Sequence, residues 1–213
     1  MSSRLIIFDL GRVLIRICST MTEASLRAGN KFVPTDMSPY ARAEMLQLSH
    51  RADLGQLDEL QIVSRLGPLF AMPPGEARLM FEHFLIGPYP GLTEFLTDLQ
   101  ATGHATACLS NTNAAHWRLM TTPATQDSPA SHAFLPLHLL TFRFASHLLR
   151  LRKPDPAIYR EVQTRTGFAP SQITFFDDLQ ENVDAATACG WQAILVPPLD
   201  DTIPFLRHQL QLP

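Results

Sequence analysis

Short apolar runs that alternate with helical segments are the feature that most constrains the fold of this 213-residue chain. Buried strands are predicted at 4–8, 104–109, 173–176 and 193–196, where the sequence reads RLIIF, HATACL, ITFF and AILV, and another near 141–145. Helical spacing lies between these runs, as in the segment that begins at Leu92 and ends near Gly103. This alternation predicts an α/β protein with a doubly wound parallel sheet.

The stretch from 18 to 85 has a different character from the sequence on either side of it. It carries helical spacing interrupted by Gly and Pro, without the apolar runs of the strands. We therefore predict a helical insertion at 18–85 in an α/β core formed by 1–17 and 86–213. The segment 121–136 is rich in Pro, Ser and Thr and predicts a loop.

Composition argues against several classes of partner. The net charge of −3 lacks the basic excess that binding to a nucleic-acid backbone requires. No stretch approaches the roughly 20 apolar residues of a membrane helix. Three scattered cysteines do not make a disulfide framework, and charges interrupt the apolar N-terminus, unlike in a signal peptide. We expect a cytoplasmic protein with neither a nucleic-acid nor a membrane partner.

Polar residues follow three of the predicted strands directly. Asp9 follows LIIF, Ser110 and Asn111 follow ACL, and Asp177 and Asp178 follow ITFF. Ligands of open α/β sheets bind outside the carboxyl ends of strands, so these residues should converge on one crevice. Asp9 fits either a loop carboxylate that caps the next turn or a nucleophile or metal ligand. Ser110 and Asn111 fit a helix cap and an anion site alike.

Charge considerations single out the acidic pair and one lysine. Asp177 and Asp178 repel each other unless a cation or a hydrogen-bond network compensates, and a set of oxygen ligands suits Mg²⁺. Only Lys31 and Lys153 among the 17 basic residues are lysines. Lys153 fits either a solvated surface charge or the positive charge that balances carboxylates and a phosphate.

Four segments carry a resemblance to a known family. FDLGRVL, LSNTN, RKPDPAIY and FFDDLQENVDAA resemble the four ordered motifs of the haloacid dehalogenase-like hydrolases, and together they span nearly the whole chain. The separations of 101, 43 and 25 residues along Asp9, Ser110, Lys153 and Asp178 are similar to those of members with a helical cap inserted after the first motif. The resemblance implies a Rossmann-like core whose cap closes over the substrate.

The resemblance also implies roles in phosphate chemistry. Asp9 would attack phosphorus as a nucleophile and form an aspartyl-phosphate. Ser110 would donate a hydrogen bond to the phosphoryl group, Lys153 would neutralise it, and Gly11 and the Asn111 amide would complete the phosphate site.

A magnesium site is implied at the same place. Asp9, the Gly11 carbonyl and Asp178 would be ligands of Mg²⁺, while Asp177 would act directly or through a water molecule. Asn182 would support these ligands from behind.

The chain departs from the usual motif at Gly11. Most phosphatases of this family have a second aspartate there, which protonates the leaving oxygen and then activates water, so its absence should slow the enzyme or move the task elsewhere. The motif is similar to that of the branch that contains bacterial glucose-1-phosphate phosphatase, where an acidic anomeric leaving group needs less protonation. Within the helical insertion, the candidate replacement acids are His50, Asp53, Asp58 and Glu59.

The expected function is therefore that of a Mg²⁺-dependent phosphomonoesterase acting on a small phosphorylated metabolite, with a sugar phosphate as the expected substrate. We expect a monomer or a weak homodimer. One alternative is a 2-haloacid dehalogenase, which also lacks the second aspartate but needs no metal and usually reads D-x-Y-G-T. Another is a weakened enzyme that serves as a binding or scaffold protein, for which Gly11 is the sequence support.

Overall fold

A five-stranded parallel sheet forms the centre of the computed structural model, which describes residues 4–34, 38–122 and 136–213. The described residues form seven strands, five in this sheet and two, β2 and β3, in a separate ladder. They are β1 (Leu5–Phe8), β2 (Ile15–Ile17), β3 (Leu85–Pro88), β4 (Ala105–Ser110), β5 (Phe142–Ala145), β6 (Ile173–Asp177) and β7 (Gln192–Leu195). The sheet has the order β5-β4-β1-β6-β7, and its central strand β1 pairs in parallel with β4 and β6. The predicted parallel α/β architecture is confirmed.

Helices connect the strands, and several of them begin at a residue whose side chain caps the helix. They are α1 (Met21–Arg27), α2 (Pro39–Asp53), α3 (Glu59–Leu69), α4 (Pro74–Glu82), α5 (Leu92–Ala101), α6 (Ala114–Thr121), α7 (Ser146–Leu149), α8 (Pro156–Thr166), α9 (Gln180–Ala188) and α10 (Ile203–Gln209). Asp155 illustrates the capping, since its side chain accepts a hydrogen bond from the Ala157 amide while proline fills the first position of α8. None of the described helices is long and apolar enough to cross a membrane.

Both faces of the sheet are buried, as the apolar sequence of β1 requires. Ile6 and Phe8 pack into a core that includes the apolar side of α5 and residues of α10. Leu5 and Ile7 point the other way, into a second core shared with α8 and α9. Alternating side chains along a strand thus serve two layers of helices, which is why the strand is apolar at every position.

The helices α1 to α4, which lie between β2 and β3 along the chain, form a separate layer with its own core. Residues of α2, α3 and α4 contribute to this core, and Ala115 of α6 joins it. The antiparallel ladder of β2 and β3, which pairs Ile15 with Pro88, closes the base of the insertion. The sequence analysis did not predict this ladder, and β3 begins at Leu85, the last residue of the predicted insertion. Of the predicted loop at 121–136, residues 123–135 lie outside the described residues.

Candidate active site

Three adjacent strands bring the predicted polar residues to one edge of the sheet. Asp9 follows β1, Ser110 ends β4 and Asp177 ends β6, and all three are buried. The Asp9 amide donates a hydrogen bond to the carbonyl of Phe176, which continues the pairing of β1 with β6 one step past β1. The strand register itself therefore sets how close these side chains lie.

A buried lysine joins two of these strand ends. The Lys153 side chain is 1% exposed, and its Nζ donates hydrogen bonds to Asp9 Oδ1 and Asp177 Oδ2, each at 2.6 Å. Burial opposes the charge on Lys153, but the two carboxylates outweigh it and raise the pKa of the lysine. Lys153 is therefore a fixed positive charge at the floor of the crevice, where the sequence had left a solvated lysine as an alternative.

The Asn111 side chain holds the backbone of Lys153 in place. Asn111 Nδ2 donates to the Lys153 carbonyl, and the Lys153 amide donates to Asn111 Oδ1, both at 2.9 Å. The side-chain amide thus both donates and accepts a hydrogen bond, as a backbone residue of a neighbouring strand would. Asn111 thus positions Lys153 and leaves its own backbone amide at the strand end.

Asp177 is fixed on both of its oxygens. Its Oδ2 accepts from Lys153, while its Oδ1 accepts from the Leu179 amide and from Asn182 Nδ2, each at 2.9 Å. The carbonyl of Asn182 in turn accepts a hydrogen bond from the Tyr159 hydroxyl at 3.0 Å. Asn182 therefore holds Asp177 through a side-chain hydrogen bond.

Asp178 lies beside Arg12 of the first loop and takes no part in the Lys153 hydrogen bonds. Arg12 Nη1 lies 3.7 Å from Asp178 Oδ2, and the arginine side chain is largely exposed. Burial raises the pKa of Asp178, and the Asp177 carboxylate adds to the shift. Burial also raises the pKa of Asp9, a shift that Lys153 opposes and the two other carboxylates increase. In the ion pairs of this cluster, two cationic side chains, Lys153 and Arg12, face three carboxylates.

A hard divalent cation fits this shortage of positive charge. Among the described residues, no three His, Cys, Asp or Glu side chains form a preformed metal cluster. The ligand set implied by the resemblance does not require three such side chains in one cluster. It combines carboxylates with a backbone carbonyl and water, as Mg²⁺ sites commonly do. Asp9, Asp178 and the Gly11 carbonyl are oxygen donors of the kind that Mg²⁺ takes, and Asp177, whose two oxygens are already hydrogen-bonded, would contact the ion through water.

Gly11 is open enough to carry a side chain. A Cβ placed on it would lie 3.3 Å from Cδ1 of Ile17 and 3.8 Å from Oδ2 of Asp9. A small shift of the flexible end of Ile17 would relieve the closer contact. Space alone therefore does not exclude an acid at this position.

The four candidate replacement acids have different surroundings. Asp58 caps α3, because its Oδ1 accepts from the Gln61 amide at 2.8 Å. Glu59 pairs with Arg118 at 2.7 Å and with Arg78 at 2.8 Å. Both carboxylates already serve the structure of the insertion.

Asp53 is the carboxylate among them that shares a cavity with the residues directly after β4. It is 8% exposed and lines a pocket together with Asn111, with Arg152 Nη2 at 3.6 Å from its Oδ2. Burial raises the pKa of Asp53 to about 6, although Arg152 lowers it. His50, one turn earlier on α2, is half-buried, and burial and Arg152 lower its pKa.

The family of the chain is decided by its match to a family model. The model for haloacid dehalogenase-like hydrolases matches residues 4–190. The chain belongs to this family. The branch that contains glucose-1-phosphate phosphatase stays a prediction.

Curated relatives of this haloacid dehalogenase-like hydrolase are distant in sequence. It is 26% identical over 191 residues to a sesquiterpene phosphatase from Aspergillus oryzae, and the alignment covers 86% of this chain and 85% of that protein. It is 28% identical over 127 residues to acyl-CoA dehydrogenase family member 10 of Mus musculus, covering 59% of this chain and 11% of that protein. The chain therefore spans only a small part of the mouse protein.

Solved structures of the family share the fold. A haloacid dehalogenase family enzyme from Bacteroides thetaiotaomicron, in complex with magnesium and inorganic phosphate, matches with a TM-score of 0.73 at 19% identity. The match covers 94% of this chain and 97% of that chain. At this identity the likeness shows the architecture of this hydrolase rather than its substrate.

Sequence reasoning assigned no role to His116, which the structure of this hydrolase places in the same pocket as Asp53 and Asn111. Its Nε2 lies 2.9 Å from the carbonyl of Phe81, and its ring stacks on the Phe81 ring with centroids 4.2 Å apart. The sequence signal was its helical position three residues after Asn113, whose side chain caps α6. That spacing does not reveal that the insertion packs against this face of α6.

Proposed function

We propose that this haloacid dehalogenase-like hydrolase is a Mg²⁺-dependent phosphomonoesterase that works through an aspartyl-phosphate on Asp9. The observation that carries the proposal is the buried Lys153 bridge between Asp9 and Asp177. A fixed ammonium beside a buried carboxylate suits a reaction in which a carboxylate must approach a phosphate of the same sign. The phosphatase relative, and the magnesium and phosphate bound to the Bacteroides enzyme, support the same chemistry.

In the first step Asp9 attacks the phosphorus atom. The bond from phosphorus to the alcohol oxygen breaks, and the phosphoryl group is transferred to the Asp9 carboxylate. Ser110 and the Asn111 amide donate hydrogen bonds to the phosphoryl oxygens, and Lys153 balances their charge. In the second step water attacks phosphorus, which releases inorganic phosphate and restores Asp9. The reaction is thereby split into two easier displacements.

The residues that would hold the metal are Asp9, Asp178 and the Gly11 carbonyl, with Asp177 contributing directly or through a water molecule. Mg²⁺ bound there would polarise the phosphoryl group and offset its negative charge. Asp177 keeps a further task, because it holds Lys153, while Asn182 and the Leu179 amide fix the orientation of Asp177.

For the leaving alcohol, the geometry favours Asp53 over Asp58 and Glu59 as the group that replaces the acid missing at Gly11. Its carboxyl lines the cavity beside Asn111, whereas Asp58 and Glu59 are engaged within the insertion. A carboxyl whose pKa lies near 6 can donate a proton close to neutral pH.

The proposed substrate is a small phosphorylated metabolite. The motif resemblance supports a sugar phosphate, whereas the lining of the cavity supports a less polar alcohol, as argued below. The helical insertion at 18–85 is proposed as the cap over this substrate. A cytoplasmic location and a monomer or weak homodimer stay predictions from the sequence.

Two alternatives predict different assay results. A 2-haloacid dehalogenase would need no metal, and the excess of carboxylates over cationic side chains in the ion pairs of Asp9, Asp177 and Asp178 favours a metal-dependent reaction instead. A weakened scaffold protein would turn over no phosphate ester.

The test is a panel of phosphate esters assayed with Mg²⁺ and in excess chelator. We expect turnover with Mg²⁺ that is lost in chelator, in Asp178→Ala and in Asp9→Asn, each by more than about a thousandfold. Asp184→Asn, an exposed carboxylate on α9, is the matched control and should keep full activity. Full phosphatase activity in chelator, or in Asp9→Asn, would overturn the proposal.

A further inference from the structure

A mainly apolar cavity, which Ser49 and Asp53 also line, lies between the helical insertion and the loop that follows β4. Its volume is about 210 Å³. Helices α2, α3 and α4 and the residue before β3 supply most of its walls, through Met45, Leu48, Ile62, Leu66, Phe81 and Phe84. The floor is Asn111, Thr112 and Asn113, directly after the strand that ends at Ser110. The cavity therefore begins where the phosphate site ends.

Several polar atoms on the floor of this cavity, in side chains and in the backbone, are already hydrogen-bonded within the protein. Both polar atoms of the Asn111 side chain bind the Lys153 backbone. Asn113 Oδ1 accepts from the His116 amide at 3.0 Å. The Thr112 carbonyl accepts from Ser146 Oγ at 3.1 Å. A polyhydroxylated ligand would have to compete with these hydrogen bonds, and burying its hydroxyls without partners would cost free energy.

The His116 side of the cavity is aromatic and uncharged. The His116 ring stacks on Phe81 and lies parallel to Phe84, with centroids 6.2 Å apart in the second pair. Burial lowers the pKa of His116 to about 4, so the imidazole is neutral near pH 7. Its Nε2 is engaged with the Phe81 carbonyl. This wall therefore offers flat apolar surface rather than a charge.

We infer that the cavity binds the alcohol part of the substrate, and that this part is a small hydrocarbon or aryl group rather than a sugar. The inference rests on the proposed phosphomonoesterase function. It follows from the continuity of the cavity with Asn111, which holds Lys153 beside Asp9, and from the apolar lining. The volume lies below the roughly 300–1,000 Å³ of pockets for drug-sized ligands, so the group must be compact.

The test compares two esters of similar size and shape, cyclohexylmethyl phosphate and glucose 6-phosphate. Both are esters of a primary alcohol attached to a six-membered ring, and the second differs mainly by its ring oxygen and hydroxyls. We expect kcat/KM to be at least about tenfold higher for the cyclohexylmethyl ester. Leaving-group chemistry works against this result, because electron-withdrawing oxygens make the sugar alcohol the more acidic leaving group.

A pair of variants on neighbouring residues of α2 assigns the preference to the cavity. Met45 is partly buried and lines the cavity, whereas Leu46 is 59% exposed on the same helix. Met45→Gln should lower the ratio of the two kcat/KM values by about fivefold or more, because it places an amide in the apolar wall. Leu46→Gln should leave the ratio unchanged.

Binding to Asp9→Asn, measured by calorimetry with each intact ester, decides the question independently of turnover. Tighter binding of cyclohexylmethyl phosphate supports the inference even if the wild type hydrolyses neither ester. The absence of hydrolysis would count against the proposed function instead. Equal or tighter binding of glucose 6-phosphate, or a ratio that Met45→Gln does not change, would overturn the apolar site. Phosphatase activity with a preference for the sugar ester would do so while leaving the proposed function in place.

Discussion

The two sides of the crevice above the sheet are built from different kinds of residue. On the sheet side, charged groups are buried and fixed by short hydrogen bonds, as in the Lys153 contacts to Asp9 and Asp177. On the side of the helical insertion, the surface is mainly apolar apart from Asp53, and several polar atoms of the floor are engaged within the protein. The sheet side therefore suits the handling of a phosphate, and the helical side suits the selection of the group attached to it.

The difference also concerns free energy. Removing a charge from water costs free energy, and a buried charge is tolerated only beside a partner of opposite sign. Loss of one partner therefore leaves the other charge buried without compensation and destabilises the protein. Apolar walls contribute in proportion to the area that they bury, and single changes have graded effects. Substitutions on the sheet side should consequently act abruptly, and those on the helical side gradually.

The largest expected effect comes from Lys153→Met, which removes the charge at the centre of the sheet side. We expect kcat to fall by more than about a hundredfold. Because Asp9 and Asp177 would stay buried without their partner, the free energy of unfolding should fall by about 3–5 kcal/mol. Activity assays and denaturant unfolding in metal-free buffer measure the two effects.

The matched control is Lys31→Met, since Lys31 is the chain's other lysine and is exposed. It should change neither activity nor unfolding. If Lys153→Met behaved like this control, the sheet side would not be organised around a buried ion pair, and the contrast between the two sides would collapse.

A smaller effect is expected from Asp53→Asn on the helical side. Burial raises the pKa of Asp53 to about 6, against the nearby positive charges of Arg152 and Lys153. The protonated form is the acid, so its contribution should be present below about pH 6 and lost as pH rises through that value. For cyclohexylmethyl phosphate at pH 5.5, Asp53→Asn should lower kcat by about 10 to 100-fold. In this variant, kcat should no longer fall as the pH rises through about 6.

Phenyl phosphate separates proton donation from a change in structure. Its leaving group is acidic and needs little protonation, so its turnover should be nearly the same in Asp53→Asn and the wild type. Asp58→Asn is the control variant, because asparagine caps a helix as well as aspartate does. An equal loss with both esters would show that Asp53 supports the shape of the cavity instead of donating a proton.

The sheet side was predictable from the sequence because it depends on the position of residues along strands. In a parallel sheet, Asp9, Ser110 and Asp177 must meet at one edge once β1, β4 and β6 are adjacent. The scarcity of lysine drew attention to Lys153, although its burial between two carboxylates required the structure. The acidic pair after β6 similarly indicated a cation, but only the structure separates Asp177, held by Lys153, from Asp178, which faces Arg12.

The helical side was not predictable to the same degree because it depends on how separate helices pack. The sequence offered Asp53, Asp58 and Glu59 as equivalent acids, and only tertiary contacts show that Asp58 caps α3 while Asp53 faces the cavity. The position of His116 along α6 likewise did not reveal that Phe81 and Phe84 of the insertion side meet its ring. The spacing of residues along a helix shows which of them share a face, but it does not show which element packs against that face.

A crystal structure of the wild-type hydrolase grown with Mg²⁺ and beryllofluoride tests the division between the two sides most directly. Beryllofluoride mimics a phosphoryl group bound to a carboxylate. We predict beryllium bonded to Asp9, Lys153 within hydrogen-bond distance of a fluoride, and magnesium in contact with Asp9 and Asp178. The adduct's open side should face the apolar cavity at Asn111. Beryllofluoride bound to another carboxylate, or an adduct on Asp9 facing away from the cavity, would contradict the account.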